Sequence, residues 1–130
     1  MKIMVVDDSR IIRDRLVNLL EVIQGVEGVA QAEDAENALL IYRKLRPEVL
    51  ILDIRMHGTN GIEVLKQVKS EQPAPYVTML TNFPYPQYRK KCMQEGADFF
   101  LDKSTEFDEI NKIIRNMIEK PRLIMNSDDD

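Results

Sequence analysis

One cysteine, one histidine and no tryptophan occur in 130 residues. The lone Cys92 rules out a disulfide within the chain and fits a reducing cytoplasm. The lone His57 removes zinc sites built from several His and Cys ligands. Ser-His-Asp catalysis would have to pass through that one loop residue. No apolar run approaches the ~20 residues that a membrane span needs. The opening MKIMVVDDSR meets two acids after too short an apolar stretch for a signal peptide. A basic excess is missing too. Eighteen Lys and Arg face 22 Asp and Glu, for a net charge of −4. Asp128, Asp129 and Asp130 carry most of that, and no basic surface for nucleic acid is expected.

What remains is an ordinary globular balance, 44% hydrophobic and 31% charged, in a length that suits one domain. Short apolar runs end in polar residues: KIMVVDD, VLILD, PYVTMLT and ADFFLDK. Such runs read as buried strands of a parallel sheet. The first strand covers residues 2–7. Ser9 caps a helix over about 10–24, with Ile12, Leu16, Leu19, Leu20 and Ile23 on one face. A more polar second strand, about 28–33, suits an edge. Asp34 caps a helix over 35–45, which Pro47 ends. The third strand, Val49 to Asp53, is nearly all apolar and therefore central. The loop RMHGTNG and a helix over about 61–71 follow. A fourth strand covers about 76–80, and NFPYPQ is irregular before a helix over about 86–95, closed by Gly96. A fifth strand covers about 98–101. Thr105 and Asp108 form a capping box for a helix over about 106–119, which Pro121 stops. Five strands alternating with five helices predict an α/β fold: a flavodoxin-like (βα)5 doubly wound sandwich with a parallel sheet of order 2-1-3-4-5 and helices on both faces.

Open α/β sheets bind ligands at the carboxyl ends of their strands. Asp7, Asp8, Asp53, Thr81 and Lys103 sit at or just past such ends and should converge. Three carboxylates that close repel one another unless a cation intervenes. Magnesium suits them, because it takes hard oxygen ligands, few carboxylates and often a phosphate oxygen. Lys103 can pair with an acid when the site is empty and with phosphate oxygens when it is filled. Thr81 can donate to a phosphoryl oxygen.

The pieces VVDDSRIIR, VLILDIRMHGTNGIEVL, TMLT and GADFFLDKS, in this order, resemble the receiver domain of bacterial two-component response regulators. The likeness covers about residues 1–120 as one receiver domain and leaves 121–130 as a short acidic, flexible tail. It implies a phosphoacceptor switch, not an enzyme. Asp53 takes a phosphoryl group from a sensor histidine kinase or phosphotransfer protein. Asp8 and Asp53 ligate Mg²⁺ (or Mn²⁺ in its place) with the backbone carbonyl of Arg55, and Asp7 acts mostly through a bound water. Lys103 binds phosphate oxygens, Thr81 swings toward the acyl phosphate, and Phe100 moves inward with it. A downstream protein meets the face of the fourth helix, fifth strand and fifth helix. The basic run Arg89, Lys90 and Lys91 beside Tyr85 and Tyr88 reads first as a solvated face, with a docking patch as the functional alternative. Such a domain is cytoplasmic, binds neither DNA nor membrane directly, and is a monomer or a phosphorylation-linked dimer. The chain's end soon after the fifth helix suggests the stand-alone, chemotaxis-protein-like type.

Three positions depart from the common pattern. His57 and Ser104 stand where many members have proline. A trans bond is expected at Lys103–Ser104, because a cis bond before a residue other than proline costs ~3–4 kcal/mol. Asn82 replaces a small residue beside Thr81 and, with Phe83, should crowd the phosphoryl group. Two other functions compete. One is a receiver-like scaffold independent of phosphorylation. The other is an aspartyl-phosphate phosphatase, but haloacid-dehalogenase-like enzymes carry a second acid two residues after the nucleophile, and Arg55 stands there.

Overall fold

A computed structural model describes residues 1–120, so the expected acidic tail lies outside the described residues. Along the chain run β1 (Lys2–Val6), α1 (Arg10–Glu21), β2 (Gly28–Ala32), α2 (Ala35–Leu45), β3 (Val49–Leu52), β4 (Arg55–Met56), β5 (Thr59–Asn60), α3 (Gly61–Lys69), β6 (Tyr76–Thr81), α4 (Pro86–Gln94), β7 (Phe99–Asp102) and α5 (Glu109–Glu119). Five strands form one sheet in the order β2-β1-β3-β6-β7, and every pairing in it is parallel. The expected 2-1-3-4-5 topology therefore holds.

Side chains alternate across a strand, so each strand feeds two cores. Met4, Val6, Leu50, Leu52, Val77 and Met79 meet Ala38 and Tyr42 of α2, Leu65 and Val68 of α3 and Cys92 of α4. Ile3, Val5, Val49, Ile51, Leu80 and Leu101 meet Leu16 and Leu20 of α1 and Ile110, Ile113 and Ile114 of α5. β3 is buried on both faces along its whole length, which explains its unbroken VLIL run. β2, at the edge, is partly exposed, as its polar sequence suggests.

The connections hold the differences from expectation. The loop RMHGTNG contains a small antiparallel hairpin in which Arg55 pairs with Asn60 and Met56 with Thr59. Thr59 Oγ1 donates to Met56 O at 2.9 Å and tightens its turn. His57 at the tip takes φ +24°, an uncommon backbone for a residue with a Cβ. Asn60 then caps α3 by accepting from Ile62 N at 2.8 Å. At the other end, Thr105 caps nothing. α5 starts at Glu109 behind Asp108, later than the capping-box reading placed it. The reason lies in Asp102. Its side chain accepts from Ser104 N and Ser104 Oγ, and its own N–H donates to Glu106 Oε1 at 2.9 Å. These bonds commit residues 102–106 to a turn before the helix begins. The Lys103–Ser104 bond is trans, as expected, since the one cis bond among the described residues is Gln72–Pro73.

Candidate functional site

The carboxyl ends of β1, β3 and β7 deliver the site. Asp7 directly follows β1, and its N–H continues the sheet by donating to Ala32 O at 3.1 Å. Asp53 directly follows β3, and its N–H donates to Val6 O at 3.0 Å. Lys103 follows β7, and its N–H donates to Thr81 O at 2.8 Å. Sheet-like backbone bonds thus continue one residue past each strand and bring these three positions to one edge.

Lys103 Nζ donates to Asp7 Oδ2 at 2.6 Å and to Asp53 Oδ2 at 3.0 Å. All three side chains are at most 7% exposed. The other Asp7 oxygen accepts from Ser9 N at 2.8 Å, and the other Asp53 oxygen from Ile54 N at 2.8 Å. Arg13 Nη1 donates to Asp7 O at 2.7 Å, so a second cation steadies the backbone of the pair. Asp8, more open, accepts from His57 N at 3.2 Å. Carboxylate oxygens of Asp7, Asp8 and Asp53 all lie within 4.8 Å of one another.

One ammonium shared by two buried acids explains the electrostatics. Burial raises the Asp53 carboxyl above its usual range; Lys103 pulls it back only in part, and Asp7 adds to the rise. Burial also pulls Lys103 down, but its bond to Asp7 and the charge of Asp53 outweigh this and hold it above its usual value. The ammonium stays charged, while Asp53 is short of positive charge. A divalent cation would supply it, and the donor set of hard oxygens fits one.

An open cavity of about 580 Å³ exposes this edge and is lined by Asp7, Asp8, Asp53, Arg55, Asn82 and Lys103 among others. Two expected site residues do not line it. Thr81 ends β6 rather than beginning a loop, is fully buried, and its Oγ1 accepts from Phe83 N at 3.0 Å. Phe100 is 4% exposed, so its ring already lies inward. The Arg89 guanidinium sits 5.1 Å from that ring centre and donates to Phe100 O at 3.2 Å.

Two features were not legible in the sequence. The Arg55 side chain reaches across the mouth, 4.5 Å from the Phe83 ring centre, and donates to Tyr88 OH at 3.0 Å. Nothing local signals a pairing across 33 positions. Gly61 packs against the backbone of the phosphoacceptor candidate, where a Cβ would stand 1.9 Å from Asp53 O.

A response regulator receiver domain model matches residues 3–115, nearly the whole described fold. The chain belongs to the response regulator receiver family. Response regulator GacA of Pseudomonas aeruginosa is 30% identical over 95% of this chain and 58% of its own length. Transcriptional regulatory protein LnrK of Bacillus subtilis is 33% identical over 87% of this chain and 51% of its own. The chain therefore spans somewhat over half the length of these relatives. The receiver domain of the putative response regulator NarL from Mycobacterium tuberculosis superposes with a TM-score of 0.81 at 28% identity, covering 92% of this chain and 96% of that one. The response regulator domain of Thermotoga maritima CheB gives 0.78 at 26% identity, covering 92% and 94%. As a receiver domain, the chain is a signalling module of two-component systems. No helix among the described residues is long and apolar enough to cross a membrane.

Proposed function

We propose that this receiver domain, residues 1–120, is a phosphoacceptor switch with Asp53 as the acceptor. The observation that carries the reading is the shared Lys103 ammonium, buried between Asp7 and Asp53 beside an open cavity. A carboxylate needs no base near neutral pH, so the absence of a catalytic histidine is no obstacle. Phosphoryl transfer depends mainly on positioning and neutralisation of charge. Asp53 Oδ2 would attack the phosphorus of a phosphohistidine or acetyl phosphate, the bond to the leaving group would break, and an acyl phosphate would form.

Asp7, Asp8 and Asp53, with the carbonyl of Arg55, would hold Mg²⁺ or Mn²⁺. The bound ion would neutralise phosphate charge and orient its oxygens. Lys103 would move from a carboxylate oxygen to a phosphoryl oxygen. The new group adds roughly −1.5 to −2 charge by analogy with hydroxyl phosphates. Thr81 would exchange its Phe83 N–H for a phosphoryl oxygen. The donors would be a kinase or phosphotransfer protein. The downstream partner would meet the α4-β7-α5 face, where Tyr85, Met93 and Phe99 are exposed at 46%, 43% and 39%. On this reading the chain assists its own phosphorylation and turns over no other substrate.

Incubation with acetyl phosphate and Mg²⁺, followed by intact-mass measurement, tests the reading. Wild type should gain one phosphoryl mass and Asp53→Asn none. No gain in wild type with any donor would favour a scaffold that works without phosphate.

Asn82 and Phe83 line the cavity, and on this reading they would hinder water that approaches the acyl phosphate. Asn82→Ala should therefore shorten the life of the phosphorylated form several-fold. Decay of the phosphorylated mass at the wild-type rate would show that Asn82 does not shield it.

A further inference from the structure

We propose that His57 is an additional ligand at the Asp7–Asp8–Asp53 site, so that the site takes late first-row divalent ions such as Co²⁺, Ni²⁺ and Zn²⁺ much more tightly than the acids alone would. The inference deepens the proposed function and rests on its reading that these three acids hold a divalent cation.

The geometry points to His57 in three ways. Its imidazole lines the same cavity as the acids. Nε2 stands 3.4 Å from Asp8 Oδ2. Two donors that each lie ~2.1 Å from one ion are separated by about 3.0 Å at a right angle and about 3.4 Å at a tetrahedral angle. The two atoms thus already have the spacing of neighbouring ligands. The loop tip that carries the ring is also tethered. The His57 N–H donates to the same Asp8 carboxylate at 3.2 Å, a bond that proline could not make. The β4–β5 hairpin, closed by the Thr59 hydroxyl on Met56 O, fixes the tip that carries it.

The donor chemistry decides which ions benefit. Three carboxylates are hard oxygen donors and suit Mg²⁺, Mn²⁺ and Ca²⁺. An imidazole nitrogen suits Zn²⁺, Ni²⁺ and Co²⁺, whose affinity for mixed N and O sites exceeds that of the earlier metals. His57 should therefore change metal preference while leaving the Mg²⁺ contacts of the acids as they are. The alternative is that His57 makes only an ion pair with Asp8 at the solvent edge, where its side chain is 81% exposed.

The test uses the full, untagged chain, in which His57 is the one histidine and its imidazole resonances need no assignment. Co²⁺ and Mg²⁺ are titrated separately into wild type, His57→Ala and His57→Gln, with affinity read by chelator competition and the imidazole by NMR. The expected result is a loss of Co²⁺ affinity of at least about 10-fold in both variants, the lower end of what losing even an outer-shell partner costs, with Mg²⁺ affinity within about twofold of wild type. The wild-type imidazole resonances should show large hyperfine shifts with Co²⁺. Equal Co²⁺ affinity in wild type and both variants would overturn the proposal and leave the phosphoacceptor reading intact. Failure of wild type to bind Mg²⁺ at all would overturn the cation site itself, and the proposal with it.

Discussion

Lys103→Met should cost about 3–5 kcal/mol of stability at neutral pH, the usual effect of removing one partner from a buried charge pair. The loss is large because the one ammonium serves two carboxylates, and both stay buried when it is gone. The two acids would then face each other and Asp8 with no cation between them. Excess Mg²⁺ should return part of the loss through binding to the folded state, about 2.7 kcal/mol at a hundredfold excess over its dissociation constant. Denaturant melts with and without Mg²⁺ measure both effects.

The sign of the pH dependence follows from the raised Lys103. Its contribution is complete below the usual lysine value of 10.5 and fades as pH rises through its higher folded value. Wild type should therefore lose stability on that alkaline limb, and the methionine variant should not. On the acid side, Asp53 is raised in the folded state, so its ionisation disfavours folding as pH rises from the usual carboxylate value of 3.8 through its folded value. Without Lys103 nothing pulls Asp53 back, so the variant gains more from its protonation, and acidification should narrow the gap between the two proteins. A methionine variant as stable as wild type, and indifferent to Mg²⁺, would show that the acids do not depend on Lys103.

Gly61→Ala should be comparably damaging for a steric reason. Its Cβ would stand 1.9 Å from the carbonyl oxygen of Asp53 and 2.9 Å from the carbonyl carbon. Neither is a flexible side-chain end that could move aside. Gly61 N also donates to Ile54 O at 2.8 Å, which holds the start of α3 close to the end of β3. Forced overpacking costs ~1–3 kcal/mol or more, and a backbone clash belongs at the upper end. The displaced atom belongs to Asp53, so the damage should reach the site. Expected results are a loss of about 3 kcal/mol in denaturant melts and slower phosphoryl uptake by whatever fraction remains folded. Gly61→Ala with wild-type stability and uptake would mean that α3 can shift away from Asp53 without cost.

The sheet was legible because its signal is redundant. Four of the five strands are apolar runs with a defined end, and the alternation of side chains divides them between two cores. The site was legible for the same reason, since Asp7, Asp53 and Lys103 follow directly on strand ends. The β4–β5 hairpin was not. Two residues per strand show no period, and the burial of Met56 beside exposed Arg55 depends on the fold around them. The start of α5 was misplaced because Thr105 and Asp108 have capping-box spacing, while Asp102 and Glu106 take the local hydrogen bonds first. Thr81 shows a third limit. It sits at a strand end, as its run suggests, but inside β6 and buried, and the sequence does not say that its hydroxyl rests on Phe83 N–H rather than facing the cavity. Contacts between elements distant in sequence, such as Arg55 of β4 with Tyr88 of α4, leave no local trace at all.

The most direct test of the phosphoacceptor reading is chemical. An acyl phosphate is reduced by borohydride, which converts the acceptor aspartate to homoserine. The chain is phosphorylated with acetyl phosphate and Mg²⁺, reduced, digested and mapped by mass spectrometry. Homoserine at position 53, and at no other acid, is the expected result. Homoserine at position 7 or 8, or at none, would contradict the assignment of Asp53 as the acceptor.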